Sequence, residues 1–178
     1  MNDQRLDGEE RFWALLEAAW APLGDEVGRA RRELARRDPE SDEVLYGEPP
    51  LSVVEGALKG FLDNLTAAGR ELPAEELAEF DRIAERKLYD IDSAELHAVT
   101  DGSDDGFLYA RGFVVALGRE FYTAVARDAR VAVPDAWCER MCYLFAHLYD
   151  ERFGGFPSTG SGISRESFSN PLGWAAST

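Results

Sequence analysis

The chain has 178 residues, with 34 acidic against 19 basic side chains and a net charge of -15. That length suits one domain around a single sizeable core, and 45% hydrophobic with 30% charged residues is a globular rather than a disordered composition. The negative surface argues against general affinity for nucleic acid or anionic membrane, and no apolar run reaches the ~20 residues that span a bilayer.

The elements follow in chain order. In EERFWALLEAAWAPLG, Phe12, Leu15, Leu16, Ala19 and Leu23 fall on one helical stripe, with Trp13 and Trp20 along its edge. Gly24 is the stop, and Asp25 opens DEVGRARRELARR, a helix thin in apolar residues that carries Arg29, Arg32 and Arg36 on one side. The acidic, Pro-rich DPESDEVLYGEPP reads as a connector. Neutralisation between these neighbouring charges is the simpler reading; a phosphate or DNA patch on the three arginines is the sharper one. LSVVEGALKGFLDNLTAAG predicts a helix that buries Val54, Ala57, Leu58, Phe61, Leu62 and Leu65. Pro73 suits the first turn of AEELAEFDRIAERKLYD, whose Leu77, Phe80, Ala84 and Leu88 face inward. A short helix capped by Asp92 or Ser93 follows.

FLYARGFVVALGREFYTAVARDA is apolar all round its first half, the pattern of a central helix, with a bend at Gly118. DAWCERMCYLFAHLYDERFG predicts the last long helix, where Trp137, Met141, Leu144 and Leu148 share a face with Cys138, Cys142 and Phe145. From Phe156 the chain turns Gly/Ser-rich, yet Ile163, Phe168, Leu172 and Trp174 recur, which a pure linker would not need. The expectation is an all-α, single-domain compact bundle of about six to eight helices. The helical domain covers residues 1–155, and an irregular tail, 156–178, docks on the body or binds a partner.

TDGSDDGF, before the central helix, alternates Asp101, Ser103 and Asp105 ahead of Gly106 like the first half of a calcium loop. Counted from Asp101, however, the position that needs a bidentate Glu is Gly112. A helix start accounts for the same residues: Ser103 as N-cap, with Asp104 and Asp105 complementing the helix dipole. Arg111 exceeds that account, because a guanidinium in an apolar helix needs a carboxylate, and Asp104, Asp105 and Glu120 are candidates. Arg111, Arg119, Glu120, Asp104, Asp105 and Trp13 form the candidate binding set, read as an ion-pair network or as an anion-recognising pocket. His97, a lone histidine on a short amphipathic helix, reads first as structural; the sharper reading joins it to Asp104 or Asp105 in acid–base chemistry. Cys138, Cys142 and His147 lack zinc spacing, so no metal is expected. No phosphate loop, nucleophile elbow or dinucleotide fingerprint is present, and no cofactor is expected.

ERFWALLEAA, ELAEFDRIAERKLYDID, GSDDGFLYARGFVVALGREFYTAVARDA and CERMCYLFAHLYDERFG together resemble a bacterial family of domains of unknown function, over residues 10–154. The most specific piece is SDDGF, followed by Arg111 and then GRE-F, which ends at Phe121. The resemblance implies a helical fold built around SDDGF and brings no catalytic role.

The reading is a non-enzymatic, partner-binding or regulatory module with a protein partner of basic character. The alternative is a small enzyme or ligand-binding protein with an anion pocket around Asp104, Asp105 and Arg111. The opening MNDQRLDGEERF lacks a secretory pattern, so the expected location is cytoplasmic.

Overall fold

The computed structural model describes residues 7–41, 45–100 and 102–175, and among them every regular element is helical. These are α1 (Gly8–Trp20), α2 (Asp25–Ala35), α3 (Leu51–Arg70), α4 (Ala74–Asp90), α5 (Ala94–Thr100), α6 (Asp104–Ala116), α7 (Arg119–Arg127), α8 (Glu139–Phe153) and the one-turn α9 (Pro171–Trp174). Short 3-10 turns occupy Ala21–Leu23 and Ala129–Val131. The chain is all-α and single-domain as expected, with eight helices of seven residues or more among the described residues. None of these helices is long and apolar enough to cross a membrane.

Helix α1 starts where Asp7 accepts the N–H groups of Glu9 and Glu10 at 2.7 and 3.2 Å. Its buried stripe is Phe12, Trp13, Leu16, Ala19 and Trp20, rotated from the expected one so that both tryptophans face inward and Leu15 is only half-buried. Trp20 stacks on Phe61 of α3 at 4.3 Å and donates its indole N–H to the Ala116 carbonyl at 2.8 Å. Phe12, Phe80 and Phe145 bring α1, α4 and α8 together, with ring centroids 5.6–5.9 Å apart. Offset aromatic contacts of this kind add to the area they bury.

Helix α6 runs through the middle, and from Phe107 to Leu117 only Tyr109 is not buried. Gly112 makes that position possible. A Cβ there would meet the Cys138 carbonyl oxygen at 2.5 Å and the Cys142 sulfur at 2.6 Å, so α6 and α8 pack at backbone distance. The expected single bent helix is two helices, because Gly118 adopts φ 93° and ends the α6 ladder. Only glycine takes that conformation without strain.

One expectation is corrected before α8. Trp137 is 63% exposed and does not share the face of Met141 and Leu148. The helix begins at Glu139, after Asp135 turns the chain with φ 57° and Cys138 extends to donate its N–H to the Tyr109 carbonyl at 2.9 Å.

Two outcomes follow from this packing. Gly112→Ala should destabilise by about 1–3 kcal/mol through overpacking. Gly56→Ala, in mid-α3 with nothing within 4 Å of the new methyl, should stabilise, by roughly 0.5–1 kcal/mol from helix propensity. Thermal unfolding of the two variants checks both signs. Burial pushes the Cys138 thiol up to about 11 and the Cys142 thiol up to about 12. Unfolding frees them to ionise from about pH 9, so this contribution to stability is complete below that pH and is lost as pH rises toward 11 and 12. Native-state labelling at pH 8 should leave both thiols untouched until denaturant is added.

Candidate functional site

The SDDGF turn starts α6 as the capping argument requires. Ser103 accepts the Gly106 N–H at 3.3 Å, and Asp104 and Asp105 occupy the first turn with exposed side chains. Asp101 lies outside the described residues, so the first position of the calcium-like pattern is not placed; no group of three or more potential metal-ligating side chains occurs among those that are. His97 holds the Gly102 carbonyl at 2.9 Å and packs against the rings of Phe107, Phe168 and Trp174.

Arg111 is fully buried, and no carboxylate among the described residues grips it directly. Its guanidinium donates to the Leu88 carbonyl at 2.7 Å, the Arg165 carbonyl at 3.1 Å and the Ser167 hydroxyl at 3.0 Å, and lies 4.7 Å from the Phe107 ring. Its Nε–H has no acceptor among the described residues. Burial holds the group below its ordinary pKa, and the charge of Asp92 opposes that shift. Two of its three acceptors belong to the tail, which closes over it. Asp104 enters this arrangement through its backbone carbonyl, which accepts the Ser167 hydroxyl at 2.5 Å.

Buried carboxylates also hold the tail, Asp92 and Asp81 foremost. Asp92, expected as a cap for α5, accepts instead the N–H groups of Phe168, Ser169 and Asn170 at 3.1, 2.7 and 3.0 Å and the Trp174 indole N–H at 2.9 Å. Ser93 caps α5 through the Leu96 N–H. Asp81, only 2% exposed on α4, takes both guanidinium arms of Arg165 at 2.9 Å. Arg165 also donates to the Cys142 carbonyl at 2.6 Å, which ties the tail to α8. Burial alone would lower its pKa; the bidentate Asp81 overrides this and raises it.

The remaining candidates lie on α1 and α7. Trp13 is buried, donates to Glu9 at 3.2 Å and packs at 5.4 Å on Tyr122 of α7. Arg119 pairs with Glu10 at 2.7 Å, and Glu120 receives Arg36 at 2.9 Å. Arg119 and Glu120 line a groove of about 630 Å³ between α2 and α7, together with Glu17, Arg31, Arg32 and Arg127. Arg31 is committed there: it forks onto Glu17 at 2.6 and 3.0 Å and donates to the Leu117 carbonyl at 2.7 Å. Arg32 and Arg127 are exposed, and their side chains make no ion pair or hydrogen bond among the described residues. Within this groove four guanidinium groups meet two carboxylates, a local excess of positive charge on a chain of net -15.

The six candidates therefore divide. Asp104 and Arg111 meet at the docked tail, Asp105 is an exposed first-turn residue, and Trp13, Arg119 and Glu120 belong to the α1–α7 side. Asp81, Asp92 and Arg165 were missed. Asp81 carried a signal, since it shares the inward face of Leu77, Ala84 and Leu88, where a carboxylate must have a partner. Arg165 carried none, being a single base beside Glu166 in a Gly/Ser-rich run.

A family model described as Protein of unknown function (DUF4240) matches residues 52–151, more than half of the chain, and the chain belongs to that family. The match is narrower than the 10–154 over which the resemblance was read; it contains Asp81, Asp92 and Arg111 but not α1, α2 or Arg165. No curated protein and no solved structure matches the chain.

Removal of Arg165 leaves Asp81 charged and buried. Arg165→Met should cost about 3–5 kcal/mol, and Asp81→Leu in the same chain should recover much of it. Urea unfolding measures both, and amide exchange at residues 168–170 reports whether the tail has left Asp92.

Proposed function

We propose that this chain is a binding module whose α2/α7 groove receives an anionic group carried by a ligand or a partner. The observation that supports this reading is the pair Arg32 and Arg127, facing one groove without carboxylate partners among the described residues on an otherwise acidic chain. Charge economy alone would neutralise them, because acids outnumber bases by 34 to 19. Arg31 and Arg119 are already held in place by Glu17 and Glu10, so the groove wall is ordered before a ligand arrives. That arrangement lowers the cost of binding. The anion recognition first assigned to Asp104, Asp105 and Arg111 thus moves to the groove, because Arg111 is 0% exposed beneath the tail.

The binding reading rests on what the groove supplies, guanidinium forks on a concave wall. Partner binding or regulation then depends on whether the anion belongs to a small molecule or to a side chain of another protein. The rest of the surface, with its acid excess, suits contact with a basic region of such a partner.

Inorganic pyrophosphate is a suitable probe. The full chain should bind it with an affinity that falls as salt rises, and Arg32→Ala with Arg127→Ala should weaken binding by roughly 10- to 100-fold, the range for loss of charge-assisted hydrogen bonds. Both residues are exposed, so thermal stability should be unchanged. Calorimetric titration that shows no binding at millimolar pyrophosphate, or equal binding by the double variant, overturns the groove assignment.

A further inference from the structure

A second cavity, of about 350 Å³, lies between α4, α8 and the tail and has a different character. One wall is aromatic: Tyr143 and His147 stack at 5.9 Å, and Phe156 continues the row at 5.8 Å from His147 while remaining 66% exposed. The floor holds Asp81, Glu85 and Arg165. Both oxygens of Asp81 are taken by the Arg165 fork. Glu85 is different. It is 8% exposed, and its Oε2 accepts the Ser161 hydroxyl at 2.5 Å. Its Oε1 receives no hydrogen bond from any described residue and keeps only a loose ion pair with Arg165 Nη2 at 3.7 Å. A nine-tenths-buried carboxylate thus keeps one oxygen without a hydrogen-bond donor among the described residues, held only by that ion pair, on the floor of a cavity whose two lining acids outnumber its one lining guanidinium.

We infer that this cavity is a binding site for a primary ammonium group on an alkyl stem. A single open carboxylate oxygen suits a point-like ammonium better than a guanidinium, whose fork seeks two acceptors. The aromatic row gives the methylene stem an apolar surface and the charge a set of ring faces. The wall already accepts a cation from within the chain, since the Arg165 guanidinium stands 5.2 Å from the Tyr143 ring centroid. An ammonium of this kind is carried by a lysine side chain or by a free alkylamine, and the chain's acid excess attracts either.

The test uses the full chain and two-dimensional amide NMR. One arm adds pentylammonium; the other adds a short peptide with one lysine, beside its twin with norleucine in that place. The expected result is shifts confined to the neighbourhood of Glu85, Tyr143, His147 and Phe156, none with 1-pentanol or the norleucine twin. Tighter binding of the lysine peptide than of pentylammonium identifies a protein source, and the reverse identifies a free amine. Glu85→Gln, which keeps the bond to Ser161, should weaken binding by roughly tenfold, as loss of a charge-assisted contact does. Phe156→Ala, at an exposed position, should weaken it with no change in melting temperature. Arg32→Ala with Arg127→Ala should leave it unchanged, which separates this site from the anion groove. Absence of shifts with both ammonium probes at millimolar concentration, equal response to 1-pentanol, or unaltered binding in both Glu85→Gln and Phe156→Ala overturns the inference.

Discussion

A fully buried guanidinium, Arg111 in the central helix, sets the terms for the rest of the molecule. Taking such a charge out of water costs several kcal/mol unless hydrogen bonds replace the lost solvent. The α4 carbonyl of Leu88 supplies one of them, and residues 165 and 167 of the tail supply two more. The tail is therefore part of what makes the core electrostatically tolerable. Apolar packing adds Trp174, partly buried against the core beside Phe107, while Phe168 and Leu172 remain exposed.

The same logic runs through the other tail contacts. Asp92 collects three consecutive backbone N–H groups and an indole, and Asp81 collects a guanidinium fork. Each is a buried acid on or beside α4 that would be costly without the tail. Tail and body satisfy each other's charges, with Arg111 and Arg165 pointing in opposite directions across one seam: Arg111 reaches from the body to the tail, and Arg165 from the tail to the body. The family match includes the body's half of this seam and stops before the tail's half.

Charge is also sorted over the surface. The arginines of α2 and of its C-terminal end reach well beyond their sequence neighbours. Arg31 turns to Glu17, Arg36 to Glu120 and Arg37 to the carbonyls of residues 130–132, so α2 is tied to α1, α7 and the turn beyond. What remains after those ties is a basic groove, while Glu85 keeps an acidic character in the cavity under the tail. One small acidic chain thus carries two concave surfaces of opposite chemistry, each built on groups that are already ordered.

Helical periodicity, glycine stops and proline starts determined the long elements. α3 and α4 follow their apolar stripes closely, and Ser103 caps α6 as its position before two acids requires. Local spacing decides these because a helix is satisfied mostly by its own backbone. Spacing could not place Trp137, whose exposure depends on how Asp135 turns the chain, or show that Gly118 divides one apolar run into two helices. Least legible were the partners of Arg111 and Asp81. The sequence required each buried charge to be satisfied and suggested carboxylates near in the chain for the arginine. The tertiary structure chose groups 54 and 84 residues away. Burial fixes the demand for a partner from one residue alone, whereas the identity of that partner is settled only when distant segments pack.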